Sequence, residues 1–182
     1  MLPLAFKVTD KPVLVIGAGR IGTGKAQLLV DAGARVTILT SQILAELPAG
    51  LHAVLERPYA PGDLRGYSLV IAATGDPGVN DQIVDEAHEL AVWLNVVDDP
   101  ARSDFYFTAV HRDGDVVVSV STEGASPALA QEIRSMIAQR LPSNLGVVAA
   151  QLRTERAALH VDGASTEGVD WKPRIRELLI DQ

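Results

Sequence analysis

The sequence contains no cysteine, which excludes a disulfide framework, thiolate chemistry and cysteine-based metal sites together. That absence suits a reducing compartment, and a cytoplasmic protein is expected. The chain also lacks an excess of positive charge. Its net charge of −7 argues against nonspecific nucleic-acid binding, which runs on phosphate neutralisation. A local basic pocket for a small anion remains compatible with it. No uncharged apolar run approaches the roughly 18 residues that span a bilayer. The N-terminal MLPLAFKVTDKP has no basic region followed by a long apolar stretch, so no signal peptide is expected. Internal repeats and low-complexity tracts are missing as well. What is present is 182 residues, 47% hydrophobic and 21% charged, enough for one good core and a modest appendage.

The first hundred residues read as strands alternating with helices. PVLVIG (12–17), ARVTILT (34–40), LHAVLE (51–56), SLVIAAT (68–74) and AVWLNVV (91–97) are short, β-branched apolar runs. Helices are expected over 20–32, with Ile21, Leu28 and Leu29 on one face, and over about 76–91. Strands spaced by helices imply βαβ crossovers and a parallel sheet. After residue 105 the pattern changes. FYFTAVHR and DVVVSVS are joined at Asp113-Gly114, a hairpin signal. Ser126-Pro127 opens a helix to about Leu141, Pro142 ends it, and a further helix runs from Ser143 to His160. VDGASTEG (161–168) reads as a linker before a short last helix. The expected architecture is α/β: a Rossmann-type parallel sheet over 1–107, a small α+β dimerisation segment over 108–141 and a helical C-terminal domain over 142–182.

Within the first crossover, Gly17-x-Gly19-x-x-Gly22 lies between a strand and a helix. The three glycines serve a tight turn, close approach of backbone to a pyrophosphate, and close helix-to-strand packing. The helix N-terminus adds free N–H groups and the positive end of a dipole. About 20 residues on, where an NAD site often carries an acid for the ribose, the strand ends Thr40-Ser41-Gln42. Neutral side chains there can bind a ribose without repelling a 2′-phosphate, so NAD and NADP both stay open.

GAGRIGTGK, AATGDPGVN, NVVDDP and STEGASP, in that order, resemble the precorrin-2 dehydrogenase family, which includes the dehydrogenase and ferrochelatase part of siroheme synthases. The resemblance covers about residues 1–160. It implies NAD-dependent oxidation of precorrin-2 to sirohydrochlorin, in siroheme or cobalamin synthesis, by a homodimer. Some members also insert Fe²⁺. It implies that Asp98 is the catalytic carboxylate and that Gly17, Gly19, Arg20, Ile21, Gly22, Ser41 and Gln42 contact the cofactor; Thr74 and Asn95 are further candidates for that contact. Thr122, Gly124 and Ser126 fall near the substrate pocket. Three positions depart from the family pattern: Gly24 stands where Arg is common, Ser103 where Cys is common and Thr108 where Pro is common. The methyltransferase domain of fused synthases has no counterpart, so the chain is expected to receive precorrin-2 from another enzyme.

Ligands of such sheets bind beyond the C-terminal strand ends, which both the Gly17 loop and Asp98 follow. A carboxylate at that edge could accept the proton released when precorrin-2 gives up a hydride, and could guide Fe²⁺. Without the flanking motifs, Asp98 reads first as a solvated strand end or a cap. Asp99 reads as a cap or a support for its neighbour, and Asn95 as a partner of the loop or of the cofactor. The 122–126 stretch also reads as a helix start. Precorrin-2 is a polycarboxylate, and Lys25, Arg102, Arg112, Arg134 and Arg153 are candidate partners for it. His52, His88, His111 and His160 show no ligand spacing, so no metal is assigned. Trp93 is expected in the core, Trp171 as an anchor of the last helix, and Met136 and Ile137 on a buried dimer face. A protein that only senses NAD would need no carboxylate facing the nicotinamide, which makes Asp98 the discriminating residue.

Overall fold

Four consecutive apolar residues, Val13 to Ile16, are each at most 3% exposed, so the strand that carries them is covered on both faces. It is β1 (Pro12–Ala18) of a five-stranded sheet seen in a computed structural model that describes residues 2–161, 165 and 168–180. The other strands are β2 (Arg35–Ile43), β3 (Ala53–Glu56), β4 (Leu69–Ala72) and β5 (Trp93–Val96). All pair in parallel, in the order β3-β2-β1-β4-β5. The chain steps outward from β1 to β3, then restarts at β4 on the other side. That reversal between β1 and β4 is the topological switch point at which such sheets open a crevice.

Helix α1 (Arg20–Asp31) covers one face, and its buried residues are Gly22, Thr23, Ala26 and Leu29. The expected Ile21 and Leu28 are exposed instead. The small residues take the inner side because the helix must lie close to the sheet. Helix α2 (Pro77–Leu90) covers the other face with Ile83, Val84 and Ala87, packed on Leu14, Ile16, Val70, Leu94 and Val96. Asp76 caps it, accepting from the Gly78 and Val79 N–H groups at 2.8 and 3.2 Å, with Pro77 in the first turn.

The β2–β3 and β3–β4 connections are loops without a helix, the second being the proline- and glycine-punctuated run RPYAPGDLRGY. In the second, Leu64 fills the helix's place with a fully buried side chain. The Glu86 carboxylate of α2 fastens that loop, accepting from Gly62 N, Leu64 N and the Tyr59 hydroxyl. Trp93, expected inside, is half exposed on the edge strand, with its ring edge-on to Phe6 at 6.3 Å. An edge strand leaves one flank uncovered, and periodicity alone does not reveal which strand is the edge.

The chain divides into two compact units, the first ending at Tyr106 and the second starting at Phe107. The second holds the antiparallel hairpin β6 (Ala109–Asp113) and β7 (Val116–Val120), and helices α3 (Pro127–Ala138), α4 (Leu145–Val161) and α5 (Lys172–Ile180). Asp113 pairs with Val116, so the two turn residues are Gly114 and Asp115, one residue later than expected. Arg174 of α5 bonds Glu155 of α4 at 2.7 Å. Trp171 directly precedes α5, and its carbonyl accepts from Ile175 N at 2.9 Å. Of the linker expected over 161–168, residues 162–164, 166 and 167 lie outside the described residues.

Candidate active site

The glycine loop is shaped by what would collide there. Gly17 has φ +106°, and a Cβ on it would sit 2.4 Å from the Ala73 carbonyl oxygen. A Cβ on Gly22 would sit 2.1 Å from the Gly17 carbonyl oxygen. The β1–α1 loop therefore presses against the end of β4, with no room for a side chain at either point. A Cβ on Gly19 meets nothing within 4 Å. Space is open over Gly19, which starts α1 without any side-chain cap, so the first-turn N–H groups are offered to a ligand. Arg20 and Ile21 are exposed at the rim.

Strand β2 runs on to Ile43, past its expected end at Thr40. Thr40 is buried there, its hydroxyl donating to the Gln42 carbonyl at 2.6 Å and accepting from Ala18 N at 3.3 Å. This hydroxyl couples the end of β2 to the glycine loop. Of the three neutral residues expected at this strand end, Thr40 is thus turned inward, bonded to its own chain. Ser41 and Gln42 are exposed beyond it, and neither brings a negative charge. On the other side of the switch point, the Thr74 hydroxyl donates to Asn80 Oδ1 at 2.7 Å and to the Asp76 carbonyl at 3.2 Å, which fastens the β4–α2 turn.

Beyond β5 the chain makes a tight turn closed by Asp99 N donating to the Val96 carbonyl at 3.2 Å. Asp98 is the third residue of this turn, exposed and at φ +61°. After glycine, asparagine and aspartate are the residues that tolerate a left-handed backbone best, so an aspartate suits this turn. Asp99 turns the other way. Its Oδ1 caps the following 3-10 turn (Pro100–Arg102) by accepting from Arg102 N, and its Oδ2 bonds Arg102 Nε at 2.5 Å. That guanidinium also holds Asp81 at 2.6 Å and keeps the Asp99 carboxyl below the usual carboxylate range. Arg102 was a candidate for substrate carboxylates, but it is committed to two carboxylates of its own chain. Arg153 is likewise paired with Asp115.

Ser103 is the knot of this loop. Its hydroxyl accepts from Val96 N at 2.9 Å and donates toward the Asp99 carbonyl at 2.8 Å, while Asn95 Nδ2 reaches it at 3.4 Å. The buried Asn95 amide also donates to the Phe105 carbonyl at 2.9 Å, so of its two readings the structure shows the loop contact. Asp104, unremarked in the sequence, closes the outer edge of β5 by accepting from Leu94 N and donating its own N–H to the Leu94 carbonyl, both at 2.8 Å. On the inner side, Lys25 of α1 is half-buried. Burial drives its ammonium below the usual lysine range, and attraction to Asp98 pulls it part of the way back.

In the second unit, the Thr122 hydroxyl donates to the Ser126 carbonyl at 3.0 Å and accepts from Ser126 N at 3.1 Å. The Ser126 side chain caps α3 by accepting from Leu129 N at 3.2 Å. Both hydroxyls therefore build the helix start, with Gly124 at φ +83° in the turn between them. Met136, expected on a buried face, is 47% exposed in the single chain. Among the described residues, no group of three or more His, Cys, Asp or Glu could hold a metal ion, and no helix is long and apolar enough to cross a membrane.

A parallel sheet with its switch point at a glycine loop and open space over Gly19 fits a dinucleotide, and defines a nucleotide-binding protein of the Rossmann class. The chain belongs to the putative NAD(P)-binding family, whose model matches residues 4–109. It is 42% identical to the siroheme synthase of Ectopseudomonas mendocina over 150 residues, 81% of this chain and 32% of that protein. It is 39% identical to siroheme synthase 1 of Aeromonas hydrophila over 152 residues, 81% of this chain and 33% of that one. The chain thus spans about a third of the length of these relatives. Among solved structures it is similar to "SirC, precorrin-2 dehydrogenase", with a TM-score of 0.70 at 22% identity, covering 98% of this chain and 87% of that one.

Proposed function

We propose that the protein oxidises precorrin-2 to sirohydrochlorin with NAD, and that Asp98 is its catalytic base. One observation carries the reading. An aspartate occupies a left-handed turn position at the C-terminal edge of the sheet, on the same edge as the glycine loop. The likeness to siroheme synthases supports the choice of substrate. NAD, when bound, supplies the hydride acceptor. The chain's own residues do the rest. Gly17, Gly19 and Gly22 admit the pyrophosphate to the N-terminus of α1, and the rim residues Arg20, Ile21, Ser41 and Gln42 border the adenosine half. Thr74 and Asn95 keep the two loops beside the nicotinamide half in shape. Asp98 takes the proton that leaves precorrin-2 as its hydride departs.

We further assign the second unit to substrate contact around Thr122, Gly124 and Ser126 and to a homodimer joined through the hairpin and α3, in line with the exposure of Leu129 and Met136. A cytoplasmic location fits the cysteine-free sequence. Asp98→Ala abolishes the absorbance change of precorrin-2 with NAD and leaves NAD affinity near wild type. Undiminished oxidation in that variant would falsify the assignment. Insertion of Fe²⁺ is a second activity that the siroheme synthase relatives favour, with Fe²⁺ as substrate. Sirohydrochlorin and Fe²⁺ mixed with the protein in the absence of NAD then yield the siroheme spectrum, and an unchanged spectrum sinks the chelatase.

A further inference from the structure

The helix-free connection from β2 to β3 runs alongside α1 and is pinned to it at two points. At the near end, Leu44 N donates to the Ala18 carbonyl at 3.0 Å, which ties the chain to the residue before Gly19. At the far end, the Cβ position of Gly50 lies 3.2 Å from Val30 Cγ1, in the last turn of α1. Between these points the loop stands off the helix and leaves an open cavity of about 410 Å³. That volume is in the range of small-molecule sites. Helix α1 lines it with Arg20, Gly24 and Gln27, and the loop lines it with residues 46–49. Gly24 adds no side chain to the wall, and a Cβ there would meet nothing within 4 Å.

The cavity opens beside the nucleotide edge, since Arg20 begins α1 directly after Gly19. A dinucleotide with its pyrophosphate on Gly19 brings its adenosine ribose to the space between α1 and the end of β2. An NAD site often has an acid there for the ribose hydroxyls, and Ser41 and Gln42 leave that place neutral. Glu46 supplies a carboxylate four residues on. It follows the Leu44 anchor by two residues, at most about 7 Å of chain. Arg20 and Glu46 are the charged side chains of the lining, and neither has a hydrogen-bond or ion-pair partner among the described residues. Gln27 is already bonded to Asp31 at 2.7 Å. By itself, Arg20 would favour a 2′-phosphate. A carboxylate in the same cavity offsets that attraction.

We propose that Glu46 selects NAD against NADP, its carboxylate accepting from the adenosine ribose hydroxyls and repelling a 2′-phosphate. The inference rests on the nucleotide half of the proposed function and is independent of Asp98 and of the tetrapyrrole. Calorimetry of the full chain with NAD and with NADP reads the selection directly. The wild type binds NAD at least about tenfold more tightly than NADP, a ratio that one charged hydrogen bond can supply. Glu46→Gln removes most of that preference, mainly by tightening NADP, and melts like the wild type because the side chain is exposed. Adding Arg20→Gln to that variant takes the gained NADP affinity away.

A wild type that binds both nucleotides equally, or a Glu46→Gln variant with an unaltered ratio, overturns the assignment. So does an equal weakening of both nucleotides, which would make Glu46 a support of the loop. Binding of neither nucleotide to the wild type overturns the nucleotide reading itself, and this inference with it. A protein that selects NAD through Glu46 yet leaves precorrin-2 unchanged upholds the inference and overturns the proposed substrate.

Discussion

At the scale of single residues, the three glycines of one motif have separable jobs. Gly22 is a packing residue: a methyl group there collides with backbone at 2.1 Å, and backbone cannot swing aside. Gly22→Ala is expected to destabilise the fold by about 1–3 kcal/mol, as overpacking does, and to lower the melting temperature. Gly19 has open space around its Cβ position. Gly19→Ala is expected to melt like the wild type while binding NAD more weakly in calorimetry, because the added methyl occupies the approach to the pyrophosphate. Equal loss of stability in both variants would contradict this division. The two aspartates of NVVDDP also separate. Adjacent in sequence and alike in chemistry, they part because the turn at φ +61° sends Asp98 to solvent and leaves Asp99 on Arg102.

At the scale of elements, the strands were legible because buried parallel strands are short apolar runs, and most lay within two residues of expectation. Two departed further: β2 continues three residues past Thr40, and β6 begins at Ala109, four residues into the expected run FYFTAVHR. The polar residues after Thr40 gave no sign that its hydroxyl would carry the pairing on. The loop between β3 and β4 was legible from its prolines and glycines, but its anchor was not: Leu64 and Glu86 meet across 22 residues, and neither is marked locally. In α1, Gly24 is exposed, and a Cβ there meets nothing within 4 Å. Gly24→Ala is therefore expected to stabilise the protein by up to about 1 kcal/mol, the difference in helix propensity. Urea unfolding with an unchanged slope and a raised midpoint would show it.

For the whole molecule, the depressed carboxylates set the response to acid. Arg57 holds Asp63 low, Arg102 holds Asp99 low and Arg174 holds Glu155 low. Each folded-state value lies below the unfolded one, near about 4. The stability they contribute is complete above that pH and is lost as pH falls through the lower folded values. Stability is thus expected to hold from neutral pH to about 5 and to decline below about 4, with a shallower decline in Arg57→Gln, measured by urea midpoints across that range. The sequence by itself determined the parallel sheet, the glycine loop, the hairpin and the place of Asp98 at a strand end. These follow from local periodicity and turn chemistry, which act over a few residues. Only the tertiary structure decided that Arg102 serves Asp99 and Asp81, that Trp93 lies on an edge, and that Thr40 and Ser103 tie the loops. Each of these joins residues through strand order and helix packing, and a charge or hydroxyl carries no local mark of the partner that the fold will bring to it.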